Sequence, residues 1–175
     1  LAEDILPESW SKMREIAYNN ERGRLPRSLL SIPSLALLEG VGLDELLENA
    51  TILECEPGDL IVREGDPSDA FFIHLRGRFL VRKGGETLAE IGDPGELFGE
   101  LSLLDHKPRS ATVETASASL ALKVRPGFAE TLDPVSRLRG EAVAFRYLAG
   151  LLARRLVETT ERLAEREKEP SVYRL

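Results

Sequence analysis

The spacing of apolar residues changes its period twice along this chain. Before about residue 50 it is helical with breaks: Trp10, Met13, Ile16 and Ala17 form a short stripe, Asn19-Asn20 and Gly23 end it, and Pro26 and Pro33 punctuate the next stretch. A second short helix is expected from Asp44, with Leu43, Leu46 and Leu47 as its apolar side. From Thr51 to Lys123 the period shortens to that of strands, in runs at 52–55, 60–62, 70–75, 79–82, 87–91, 111–114 and 119–124. Between them lie Pro57-Gly58-Asp59, Gly65-Asp66-Pro67, Gly84-Gly85 and Gly92-Asp93-Pro94-Gly95, where glycine and Asx supply turn conformations and proline fixes the neighbouring backbone angle. Gly84-Gly85 between two apolar runs reads as a two-residue hairpin. Short strands at such regular spacing predict a small antiparallel sandwich or barrel.

After Asp133 the helical period returns and holds to about Glu167. Asp133-Pro134 supplies a cap and a first turn. Phe145, Ala149, Leu152, Leu156, Thr159 and Leu163 then follow alternating steps of four and three, the seam of a helix packed on another helix. The pattern leaves open whether the seam meets a second chain or the chain's own barrel. Gly140 and Gly150 weaken the helix locally and are candidate hinges, and Pro170 ends it. The chain therefore divides into an N-terminal helical segment (1–50), a β-domain (51–132), a long helix (133–169) and a tail (170–175).

Composition narrows the function classes. The chain has 175 residues, 42% hydrophobic and 30% charged, as expected for one globular domain with appendages. A formal net charge of -7 argues against a surface built to hold nucleic-acid phosphates. Cys55 is the only cysteine, which rules out intrachain disulfides and cysteine-built zinc or iron–sulfur sites. With no signal-like start and no long apolar run, no membrane segment is expected and a cytoplasmic location is the default. A cupin-like metalloenzyme also has a small β-barrel but needs several histidines, and this chain has only His74 and His106.

The segment at 95–113, GELFGELSLLDHKPRSATV, is the least ordinary part of the chain. Gly99-Glu100-Leu101 opens a short helical turn after a strand, whose backbone N–H groups make an anion site that Gly99 lets a ligand approach closely. Ser102 adds a hydroxyl at its rim. Glu100 repels an anion but suits a ligand hydroxyl a few ångströms away, and Arg109 returns a guanidinium after the loop that Pro108 closes. Anion site, hydroxyl acceptor and arginine together describe a sugar phosphate with a free hydroxyl. No general base or metal cluster accompanies them, so neither enzymatic activity nor a catalytic cofactor is expected.

This segment resembles the phosphate-binding cassette of the cyclic nucleotide-binding domain, shared by bacterial catabolite activators, cyclic-nucleotide-dependent protein kinases and cyclic-nucleotide-gated channels. The likeness runs from about Gly40 to Leu163 and takes in PGDLIVREGDPSDAFFIHLRG, where Gly58, Gly65 and Gly77 fall at the turns of that fold. It implies a mainly β fold, an antiparallel β-roll (a double-stranded β-helix, or jelly-roll barrel), with N-terminal helices and a long C-terminal helix. It also implies that Glu100 holds the ribose 2′-hydroxyl and Arg109 the cyclic phosphate, with Gly99, Leu101, Ser102, Ser110 and Ala111 forming the cradle. Phe98, Phe79 and Leu88 are candidates for an apolar wall, the last two being better suited to the core.

The run LARRLVETTERL resembles the central helix of the catabolite activators, where two successive hydroxyl residues reach the adenine, one from each subunit; here these are Thr159 and Thr160. The same likeness sets Arg155 near Glu100. The ligand implied is cyclic AMP in preference to cyclic GMP, although Ser110 is compatible with either. The partners implied are a second copy through the long helix and a protein effector. The residues after Leu163, AEREKEPSVYRL, are too few for a winged helix-turn-helix, so this chain is not expected to read DNA. The alternative is a protein-interaction module with a degenerate pocket.

Overall fold

A computed structural model describes residues 14–17, 31–40, 42–100, 107–125, 127, 130 and 132–168. The elements in chain order are β1 (Arg14–Ala17), α1 (Pro33–Ala36), α2 (Leu43–Glu48), β2 (Ala50–Cys55), β3 (Leu60–Val62), β4 (Phe71–Arg76), β5 (Phe79–Lys83), β6 (Glu86–Ile91), β7 (Leu97–Phe98), β8 (Thr112–Thr115), β9 (Ser119–Val124) and α3 (Pro134–Lys168). All seven expected strands are present. They form two antiparallel sheets, ordered β1-β2-β9-β4-β7 and β3-β8-β5-β6. This is the antiparallel β-roll with a long C-terminal helix that the sequence implied.

The first sheet is apolar on both faces, because alternate residues of its strands enter two different cores. Leu53 and Cys55 of β2, Phe72 of β4 and Ala121 of β9 point into the barrel, with Phe79, Ile91, Phe98 and Val113. Their neighbours Ala50, Ile73, Leu122 and Val124 face outward and pack with Ile32, Leu35, Leu38, Leu43, Leu46 and Leu47 of the α1–α2 segment. Leu43, Leu46 and Leu47 are thus the buried side of α2, as their spacing predicts. The β5–β6 hairpin turns at Gly84-Gly85, both at positive φ, as a two-residue hairpin loop requires.

Three expectations need correction. Residues 14–17 form β1, not a helix: Arg14 pairs with Glu54 and Ile16 with Ile52, so the edge of β2 supplies backbone partners that outweigh a weak local helical pattern. Trp10 and Met13 of that stripe lie outside the described residues. Pro33 opens α1 as its first residue, a position where the missing N–H costs nothing, so it starts a helix as well as punctuating the chain. Leu88 is not core but 49% exposed, because among the described residues β6 is the edge strand of its sheet, next to β5.

α3 runs unbroken through Gly140 and Gly150 for 35 residues, about 50 Å at the α-helical rise. Asp133 caps it, accepting from the backbone N–H of Val135 at 3.0 Å and of Ser136 at 3.1 Å. Among the described residues no helix is long and apolar enough to cross a membrane. Cys55 lies inside the barrel, where burial, aided by the nearby Asp59 charge, pushes its thiol up to about 12. Native protein at pH 8 is therefore expected to resist a thiol reagent and to react only as it opens. Labelling followed by mass spectrometry, with and without denaturant, checks this; rapid native labelling would place Cys55 at a surface.

Candidate ligand-binding site

The loop bearing Arg109 is pinned at its backbone. Arg109 N–H donates to Asp66 O at 2.9 Å, and Gly65 N–H donates to Arg109 O at 2.8 Å. Its guanidinium is 5% exposed and bridges two segments: Nη1 donates to Gly99 O and Nη2 to Ala70 O, each at 2.7 Å. Asp69 Oδ1 lies 3.9 Å from Nη2, and Arg109 Cζ sits 5.6 Å from the centroid of the Phe72 ring. Burial pulls the guanidinium pKa down, while Asp69, Asp66 and Glu100 pull it back up. An arginine so placed stays charged, as an anion site needs.

Gly99 fits where no other residue does. Its φ is +74°, and an added Cβ would lie 2.7 Å from Arg109 Nη1 and 3.3 Å from Phe72 Cδ2. Next to it Glu100 is 5% exposed, and its Oε1 accepts from Arg155 Nη1 at 2.9 Å. Burial raises the Glu100 carboxyl pKa; the neighbouring Arg155 charge, and more weakly Arg109, oppose the rise. The expected approach of Arg155 to Glu100 is therefore present. The other Arg155 nitrogen, Nη2, donates to Leu97 O.

Among the described residues Arg155 is one of three side chains of α3 that donate to main-chain carbonyls of the stretch from β6 to β7. Tyr147 OH donates to Gly95 O at 2.7 Å, and Arg162 Nη1 donates to Leu88 O at 3.0 Å. Leu151, buried at 2% exposure, and Val143 complete this inward face. At the angular step of an α-helix, Leu138, Phe145, Leu152, Leu156 and Leu163 lie about 140° away around the axis. Phe145, Leu156 and Leu163 are 62%, 68% and 56% exposed and Leu152 is half-buried, so within this chain most of the predicted seam is not covered by the barrel.

The remaining predicted site residues are not all gathered here. Ser110 is exposed and Ala111 half-buried beside Arg109, while Leu101 and Ser102 lie outside the described residues. Phe98 is core: it stacks on Phe72 at 5.0 Å and packs on Phe79 at 5.1 Å, beneath the site. Thr159 and Thr160 are exposed and turn their hydroxyls back along the helix to Arg155 O and Leu156 O, each at 2.7 Å. Phe72, Ala70, Tyr147 and Arg162 were not singled out from the sequence. The last two had a legible signal, since long donors at 147, 155 and 162 recur every seven or eight residues on the face opposite the apolar seam.

Comparison with known proteins agrees with this geometry. Residues 52–132 match the family model described as the cyclic nucleotide-binding domain. A cAMP-dependent protein kinase regulatory subunit of Emericella nidulans is 31% identical over 121 residues, covering 67% of this chain and 29% of that protein. The chain thus spans less than a third of the length of such curated relatives. A cyclic nucleotide-binding domain from Methylobacillus flagellatus superposes with a TM-score of 0.69 at 21% identity, covering 92% of this chain and 93% of that one. The catabolite activator protein of Thermus thermophilus superposes with a TM-score of 0.54 at 30% identity, covering 75% of this chain and 62% of that one.

Proposed function

Through residues 52–132 this chain belongs to the cyclic nucleotide-binding domain family, and from that premise we propose that it is a regulatory module whose long helix reports occupancy of the site. Arg109, with the backbone of Gly99 and Ser102 and with Ser110, takes the cyclic phosphate, and Glu100 takes the ribose 2′-hydroxyl. Charge-assisted bonds of about 1.5–3 kcal/mol each, together with base packing, suffice for micromolar binding after association costs. Cyclic AMP is the preferred ligand. The module transmits and does not transform: no catalytic residue or catalytic cofactor is assigned.

The observation that carries this reading is the 2.9 Å contact of Arg155 with Glu100. It joins the hydroxyl-binding carboxylate to the helix, so a ligand that engages Glu100 must adjust its bond to the helix. A nucleotide that binds one helix arrangement better than another shifts the balance between them. The exposed seam from Phe145 to Leu163 supports a second copy packing on α3, with Thr159 or Thr160 reaching the base across that interface. A cytoplasmic location and a protein effector go with this reading.

The test is calorimetric titration of nucleotide-free protein with cyclic AMP and cyclic GMP, with hydrogen exchange followed over residues 140–160 and sedimentation of the same samples. Saturable micromolar binding, changed protection in that segment and a dimer are expected. Absence of heat with either nucleotide would overturn the sensor reading in favour of an interaction module. Unchanged protection at saturation would remove the helix from the mechanism, and a monomer at all concentrations would remove the second copy.

A further inference from the structure

Arg109 lies over the end of an aromatic column that runs through the barrel core. Phe72 and Phe98 stack with centroids 5.0 Å apart and planes 11° off parallel, Phe98 meets Phe79 at 5.1 Å, and Phe79 meets the His74 ring edge-on at 5.5 Å. Phe72, Phe98 and Phe79 are 3%, 2% and 0% exposed, so none of these rings has room to tilt without moving its neighbour. The register of β4 with β7 pairs Phe72 with Phe98, the residue just before Gly99. This places one ring against both halves of the anion site. Arg109 Cζ lies 5.6 Å from the Phe72 centroid, and a Cβ on Gly99 would approach Phe72 Cδ2 to 3.3 Å.

The guanidinium is thus located in two directions at once. The carbonyls of Gly99 and Ala70, each at 2.7 Å, fix where its Nη atoms point. The Phe72 ring lies beneath the group and borders it on the barrel side. A ring at that distance from a desolvated cation also attracts it.

We propose that Phe72 is a positioning residue of the anion site, setting the depth of the Arg109 guanidinium and, through it, affinity for an anionic ligand that Phe72 itself does not touch. The ligand half of this inference rests on the cyclic nucleotide reading of the site; the guanidinium half does not. In the Phe72→Leu variant, affinity for cyclic AMP is expected to fall about fivefold, less than the full strength of a buried cation–π contact because that contact is present in the free protein as well. Phe79→Leu removes a ring of the same column away from Arg109 and serves as the measure of general core loosening.

Two readouts decide the matter. Titration with cyclic AMP compares the two variants with the parent protein. The guanidinium ¹H–¹⁵N resonances of Arg109, assigned by their loss in Arg109→Lys, report its placement in ligand-free protein. Support is a fivefold loss and displaced or broadened resonances in Phe72→Leu, with both near parental values in Phe79→Leu. Equal losses in the two variants, or Arg109 resonances unmoved by Phe72→Leu, would overturn the proposal. If the parent protein binds neither cyclic AMP nor cyclic GMP, the ligand reading fails, and the resonances of the ligand-free protein alone judge the part played by Phe72.

Discussion

Arg109→Lys is expected to weaken cyclic nucleotide binding by about 100-fold or more while keeping the site's formal charge. The guanidinium reaches Gly99 O and Ala70 O with separate nitrogens, each at 2.7 Å, and holds the turn after β7 against the start of β4. A single ammonium cannot span both carbonyls and also face a phosphate. Loss of a forked pair of charge-assisted bonds from the guanidinium to the phosphate, at about 1.5–3 kcal/mol each, converts to roughly 100-fold or more in affinity. Calorimetric titration against the parent protein measures the loss, and a thermal melt shows whether the variant is folded at the titration temperature. Affinity within threefold of the parent would mean that Arg109 is only a structural bridge and that the anion lies elsewhere.

Gly99→Ala is expected to be nearly as damaging to binding and more damaging to stability. Two costs add. An L-residue at φ +74° pays about 1–2 kcal/mol for the left-handed conformation. The new Cβ would also stand 2.7 Å from Arg109 Nη1, a group that two carbonyls hold in place, so either the guanidinium or the backbone must shift. A combined loss of about 2–4 kcal/mol in denaturant unfolding is expected, with binding reduced by at least an order of magnitude. Gly58→Ala isolates the first cost, since Gly58 has φ +88° and nothing within 4 Å of an added Cβ. Equal effects of the two substitutions would show that the contact with Arg109 does not matter.

Both variants touch residues that stand out in the sequence, and the reason is local. Gly99, Glu100 and Arg109 lie within one short continuous segment of the sequence, so their chemistry is legible without the rest of the fold. The strands were legible for a similar reason: each apolar run is bounded by its own Gly, Asx or Pro turn. Arg155 was placed near Glu100 only because its helix carries a motif of its own.

The features that escaped the sequence depend on partners distant in the chain. The four residues of β1 become a strand because β2 offers an unpaired edge, and β7 is two residues long and exists through its pairing with β4. Leu88 reads as core by composition, but its exposure comes from β6 being the end of its sheet. Phe72 reads as one more apolar residue in a buried strand. Its place under Arg109 comes from the β4–β7 register, which no local pattern encodes.

The three fastenings of α3 share a property that bears on how this surface can drift. Tyr147, Arg155 and Arg162 each donate to a main-chain carbonyl, those of Gly95, Leu97 and Leu88. A carbonyl is present whatever side chain its residue carries. The barrel's half of these three contacts is therefore indifferent to substitution wherever the strand path is kept, whereas the Arg155–Glu100 pair and the packing of Val143 and Leu151 depend on side chains from both sides. Descendants of this sequence that keep Glu100 are free to remodel the rest of the mouth of the site for a different base without losing these three contacts. They are equally free to retune the helix at Tyr147 or Arg162, neither of which bonds a side chain of the site.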